Sequence, residues 1–160
     1  MSDLEQLYQL VILDHAKQRH GNRPLIGGTG IEHAAAFGSS HQINPTCGDE
    51  ITVEAEIDPD TGALSVRWDG QGCSISMASA SVLTEIAEDT GPAGFAAAES
   101  AFHALMHSRG QGEADEEVLG DAAAFQGVSR FPARIKCALL SWMALKDALA
   151  QAHAAGGDHA

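Results

Sequence analysis

Residues 51–69 read ITVEAEIDPDTGALSVRWD. From Ile51 to Ile57 apolar and polar residues alternate, and the alternation resumes from Ala63 after the turn residues DPDTG. A period of two sends successive side chains to opposite faces of a strand. The stretch therefore predicts a β-hairpin with one buried face, closed by residues that favour tight turns.

Working outward, residues 33–43 form a weaker extended segment that predicts a third strand, although AAAF within it also suits a helix. Further upstream, Leu4, Leu7, Tyr8, Val11, Ile12 and His15 recur at three- and four-residue steps, which predicts an amphipathic helix over residues 3–20. GNRPLIGGTG, residues 21–30, reads as a loop. No strand precedes its glycines, so they carry no phosphate-binding expectation.

Downstream of the hairpin, SISMASASVLTEIAEDTG after Cys73 combines a serine cap, small residues and a terminal glycine, the pattern of a helix packed closely on a sheet. A second helix follows Pro92, EADEEVLGD from Glu113 predicts a short exposed helix, and FPARIKCALLSWMALKDALAQ carries a strong helical pattern with Pro132 near its start. The expected architecture is α+β: a small antiparallel sheet of two to three strands covered by about five helices, as a single domain over residues 1–150 with a flexible tail at 151–160.

Composition narrows the function. Twenty-two acidic against nine basic residues give a formal charge of −13, which repels a phosphate backbone, so nucleic acid is not an expected partner. Apolar residues make up 44% and aromatic residues only 5%, which implies a core of Ala, Leu, Ile and Val. The N-terminus carries acids where a signal peptide carries bases, and no apolar run reaches the ~18 residues of a membrane span. The expected location is cytoplasmic, without membrane contact.

The chemistry lies with three cysteines. Cys47 sits in a loop entering the hairpin, Cys73 where the hairpin meets the next helix, and Cys137 in the first turns of the last helix. If the helices cover one end of the sheet, these thiols converge, and Gly48 allows a sharp bend that brings Asp49 alongside Cys47. Three thiolates and a carboxylate suit zinc, and thiolates also suit an iron–sulfur cluster. The cysteines are separated by 26 and 64 residues without any Cys-x-x-Cys pair, so spacing alone does not choose between them. Four anionic ligands would leave a local charge of −2 around Zn²⁺, which calls for a nearby cation; Arg134, three residues before Cys137 on the same predicted helical face, is the candidate. Lys136 reads as a surface residue. Cys73 faces the positive end of its helix, and Cys47, on a glycine-flanked loop, is the expected reactive thiol.

The histidines His103 and His107 lie one helical turn apart in HALMH, which lacks the glutamate of His-Glu-x-x-His and reads as a surface or satisfied pair. His15 reads as packed rather than catalytic. Met77, Met106 and Met143 read as core filling.

NPTCGD (44–49), GQGCSISMASAS (70–81) and FQGVSRFPARIKCALLSW (125–142) resemble the corresponding stretches of the SufU family, relatives of the IscU iron–sulfur scaffold proteins. The resemblance covers most of residues 4–150. It implies the SufU/IscU-like α+β fold with a zinc site made by Cys47, Asp49, Cys73 and Cys137. The long segment between Cys73 and Cys137, and Lys136 where the IscU branch carries histidine, place the chain nearer SufU. The resemblance also implies that Cys47 accepts persulfide sulfur from a SufS-like cysteine desulfurase, once a group of that partner replaces it on the metal, and passes the sulfur on to a downstream iron–sulfur assembly scaffold. HAKQRHGNRPL after Asp14 departs from the family's usual Tyr and Asn-Pro-Arg-Asn pattern. Two other readings stand beside this one: a scaffold holding a transient [2Fe–2S] cluster, and a zinc-stabilised interaction module without catalysis.

Overall fold

The computed structural model describes residues 2–27 and 36–155. Three strands form one antiparallel meander in the order β1 (Ala36–Asn44), β2 (Asp49–Ile57), β3 (Leu64–Gln71). Four α-helices accompany it: α1 (Asp3–Gln18), α2 (Ser74–Met106), α3 (Glu116–Leu119) and α4 (Pro132–Ala155), with a 3₁₀ segment over Gly120–Arg130 before α4.

The hairpin forms as its alternation requires. Ile51, Val53 and Ala55 of β2 and Leu64, Val66 and Trp68 of β3 are all buried in one hydrophobic core. In register, Val53 stands opposite Trp68 and Ala55 opposite Val66. The other face is not simply solvated. Glu54 is buried as well, because the chain leaving α1 crosses that face: the backbone N–H groups of Ile26 and Gly27 donate to its carboxylate at 2.8 and 2.7 Å. A polar residue in a strand pattern here marks a buried carboxylate with dedicated donors, not an exposed position. On the core face Trp68 is held by the same segment after α1, donating from Nε1 to the His20 carbonyl at 2.8 Å and from its backbone N–H to the Gly21 carbonyl at 2.9 Å.

The third strand exists and runs to Asn44; the part of that expectation covering residues 33–35 lies outside the described residues. Helix α4 lies across β1 and β2. At Gly38 a Cβ would run into the Ala148 carbonyl, so only glycine lets the strand meet the helix backbone this closely. Trp142 of α4 stacks on Phe102 (ring centroids 4.2 Å apart) and on Phe95 (5.6 Å), which ties α4 to the second half of α2.

Several expectations are corrected. Helix α1 ends at Gln18 rather than residue 20, with Arg19 in a left-handed conformation (φ 47°). Only Ile12 and His15 of its expected stripe are buried, with Tyr8 and Val11 partly so; Leu4 and Leu7 are exposed. The two helices expected around Pro92 are both present within the Ser74–Met106 span, divided at Gly91, whose non-helical backbone (φ 76°, ψ −175°) breaks α2 just before the proline. Met77 and Met106 fill the core, but Met143 is exposed. Helix α4 continues through Ala155 with Ala152 fully buried, so the first residues of the expected tail are structured; residues 156–160 lie outside those described.

Candidate metal centre

One end of the sheet gathers the three cysteines. Asn44, the last residue of β1, pairs with Asp49, the first of β2, and Pro45–Gly48 close the turn between them. The Asn44 side chain accepts from the Thr46 N–H at 3.1 Å, and Gly48 takes φ 76°, a conformation that spares only glycine strain, so the bend that sets Cys47 beside Asp49 is built from local chemistry. At the same end Glu50 pairs with Gln71, the last residue of β3, and the chain steps through Gly72 to Cys73. Cys73 occupies the N-cap position of α2. Cys137 arrives from above in the second turn of α4.

The sulfurs of Cys47 and Cys137 lie 3.7 Å apart and are free thiols. Cys47, Asp49 and Cys137 present ligand atoms that all lie within 4.8 Å of one another, a group able to hold a metal ion. Cys73 joins through Asp49: its sulfur stands 3.7 Å from Oδ2 and its backbone N–H donates to Oδ1 at 3.2 Å. Cys47 and Cys73 are exposed, while Cys137 and Asp49 are buried. The site is thus half open, with two thiols facing solvent above a buried thiol and carboxylate.

Asp49 is the hub of this arrangement. Burial pushes its carboxyl up, but the Ser76 hydroxyl, the Cys137 and Cys47 thiols and the Cys73 N–H outweigh that and hold it below the usual carboxylate range. The shortest of these bonds is donated by Ser76. The opposite holds for Cys137, whose thiol is pushed far up, first by burial, then by its bonds to Asp49 and Cys47 and by the charges of Cys73 and Asp49. Without a cation this thiol keeps its proton; a bound cation would displace it.

Ser76 was not singled out in the sequence as a site residue, although its position one turn after an N-cap cysteine places its side chain back toward the helix start. The expected role of Arg134 fails. It is exposed, its guanidinium lies over the Phe131 ring at 5.6 Å, and it makes no hydrogen bond to Asp49 or the thiols. A three-residue step does put it near Cys137 along the helix, but helical side chains lean toward the N-terminus, and there Arg134 reaches the rim of a largely apolar cavity of about 280 Å³ lined by Tyr8, Ile75 and Phe131. Among the described residues no lysine or arginine pairs with Asp49. Its negative charge is met instead by the Ser76 hydroxyl and by the amide at the start of α2. Lys136 is exposed, as expected.

Gly72 also serves the site. A Cβ there would lie 2.6 Å from Asp49 Oδ1, so Gly72→Ala should push the carboxylate out of place. We expect metal affinity to fall by about 10- to 100-fold, the scale on which a misplaced supporting group acts, with unchanged far-ultraviolet circular dichroism. Chelator competition measures it.

The remaining histidine pair stays outside this centre. The His103 and His107 rings lie with centroids 4.2 Å apart and tilted by 30°, and His107 Nδ1 donates to the His103 carbonyl at 2.8 Å.

Residues 7–138 match the family model described as NifU-like N terminal domain. The zinc-dependent sulfurtransferase SufU of Bacillus subtilis (strain 168) is 37% identical over 151 residues, covering 94% of each chain. The iron–sulfur cluster assembly scaffold protein IscU of Streptococcus pyogenes serotype M1 is 34% identical over 149 residues, 93% of this chain and 86% of that one. Among solved structures, the putative iron–sulfur cluster assembly scaffold protein for the SUF system from Fervidobacterium islandicum AW-1 superposes with a TM-score of 0.68 at 30% identity, over 87% of this chain and 93% of its own.

Proposed function

The chain belongs to the family of NifU-like N-terminal domains, and from that membership and the geometry of the three thiols we propose that it is a zinc-dependent sulfurtransferase of iron–sulfur cluster assembly. In this reading Cys47 accepts persulfide sulfur from a cysteine desulfurase of the SufS type, and a downstream assembly scaffold receives it. The protein works in the cytoplasm; no helix among the described residues is long and apolar enough to cross a membrane.

The observation that carries the proposal is the 3.7 Å separation of the Cys47 and Cys137 sulfurs. Two thiolates bound to one tetrahedral zinc at about 2.3 Å each stand about 3.8 Å apart, so the thiols already hold the spacing of two ligands of a single ion. Cys73 and Asp49 complete a set of four. A zinc ion in this set supplies the positive charge that keeps thiols deprotonated near neutral pH.

The chain's own residues divide the work. Asp49, fixed by Ser76 and the Cys73 amide, and Cys137, fixed in α4, form the buried half that stays in place. Cys47 is an exposed residue on a four-residue turn, whereas the equally exposed Cys73 is fixed at the start of α2, so in this reading Cys47 is the thiol that meets an incoming persulfide. Its thiolate attacks the outer sulfur of the donor persulfide; the new S–S bond forms on Cys47 as the donor's S–S bond breaks, and the donor cysteine leaves as a thiolate. The transferred sulfur, with any proton it carries, remains on Cys47 as a persulfide.

A second reading, a scaffold for a transient [2Fe–2S] cluster on the same four residues, is favoured by the IscU relative and by the half-open site. Elemental analysis and visible absorption of protein purified without oxygen separate the two. We expect a colourless protein with one zinc per chain; a brown, iron-bearing protein without zinc would overturn the sulfurtransferase reading in favour of the scaffold.

A further inference from the structure

A second cluster of ligand-type side chains stands apart from the thiols and plays no part in the transfer. His15, near the end of α1, is 3% exposed, and its Nε2 faces two carboxylates: Asp121 Oδ2 at 2.8 Å and Glu85 Oε2 at 3.4 Å. The three ligand atoms lie within 4.8 Å of one another. Glu85 is about 18 Å along the α2 axis from Cys73 at 1.5 Å per residue, so this is a separate locus. It opens on a cavity of about 550 Å³ whose wall includes His20, Glu85, Glu88, Asp89 and Asp121.

The charges there do not balance within the protein. One imidazole nitrogen offers at most one proton to two carboxylates that crowd each other. The nearby basic groups are taken by Glu88: Arg23 pairs with it at 3.1 Å, and His20, on the cavity wall, stands 3.8 Å from the same carboxylate. Among the described residues, neither Glu85 nor Asp121 has a lysine or arginine partner. The far side of the His15 ring is fixed as in metal-binding histidines. Its Nδ1 lies 2.8 Å from Ser81 Oγ, which also accepts the His20 N–H at 3.0 Å. As the structure stands, Nε2–H donates to Asp121 and the Ser81 hydroxyl can donate to Nδ1; an ion displacing the Nε2 proton would favour the other tautomer, with Nδ1–H donated to Ser81 Oγ and the Nε2 lone pair turned to the ion.

We propose that His15, Glu85 and Asp121 form a second, thiol-free site for a divalent transition ion, with one imidazole and two carboxylates as its protein ligands. A doubly charged ion would neutralise both carboxylates and take the Nε2 lone pair, leaving the open cavity side to water. The donor set is hard compared with the cysteine centre, so Mn²⁺ or Fe²⁺ fits it where thiolates do not compete for them. This site does not depend on what the cysteines bind.

Mn²⁺ is the probe, since it has little affinity for thiolates. Titrating the purified full-length protein with Mn²⁺ while following the free-ion paramagnetic resonance signal should reveal one tight equivalent. The double variant Glu85→Gln, Asp121→Asn should weaken that binding at least about tenfold; both side chains are roughly half exposed, at 43% and 56%, so the fold should survive. Circular dichroism verifies it. In the unsubstituted protein Mn²⁺ should also broaden the His15 ring proton resonances at one equivalent. Equal Mn²⁺ binding by both proteins would mean diffuse attraction to an acidic surface and would overturn the proposal, as would absence of tight binding or sharp His15 resonances at one equivalent.

Discussion

Replacing Cys47 by alanine will abolish stimulation of a cysteine desulfurase by this protein, with transferred sulfur falling to the level seen without it, because the variant has no nucleophile at the accepting position. The expectation follows from exposure and tether: Cys47 is carried on the Pro45–Gly48 turn, whereas Cys137 is buried in α4 and Cys73 caps α2. The variant keeps three of its four candidate ligands and should retain a weakened metal site, so loss of transfer will not mean loss of fold. Sulfide release by the desulfurase, measured with and without this protein, is the readout. Undiminished stimulation by Cys47→Ala would assign the acceptor role elsewhere.

Cys137→Ala should act differently, weakening zinc binding by more than about 100-fold, since it removes a ligand from the buried half of the site rather than a supporting group. It should also change how stability depends on pH. In metal-free protein the Cys137 thiol is pushed up by burial and by its bonds to Asp49 and Cys47, above its ordinary value of 9.0. The folded chain then keeps a proton that the unfolded chain releases. That contribution is fully present below about pH 9 and is lost as pH rises further, so the metal-free protein should weaken toward alkaline pH. Cys137→Ala should flatten the decline. Metal affinity should run the other way and rise over the same range, because binding displaces the proton. Urea unfolding with and without zinc, from about pH 7 to about pH 10, tests both signs.

Much of the architecture was legible because period and punctuation agree. ITVEAEI and ALSVRWD could only be strands, and the thiols fall at element ends that a three-stranded meander brings to one edge. What escaped was anything depending on where a side chain leans or what crosses a face. The alternation marked Glu54 as outward, and the loop that buries it joins no pattern. Arg134 was placed by its step from Cys137, yet the lean of helical side chains takes it to Phe131. Ser76 looked like one of several small residues, and its bond to Asp49 needs the sheet edge and the start of α2 to be juxtaposed first. His15 was read as packed, and it is; the two carboxylates at its Nε2 come from α2 and the 3₁₀ segment, far away in sequence.

The close seat of β1 against α4 at Gly38 bears on how the thiol cluster can open. Strand and helix backbones touch without side chains between them, so they have no lubricating layer on which to slide. The cysteine borne by the helix is anchored to the sheet as if both were one casting, and the turn beyond Asn44 is the hinged lip. Any opening should therefore be one-sided, with the accepting sulfur swinging outward to its partner while the deep sulfur keeps its post.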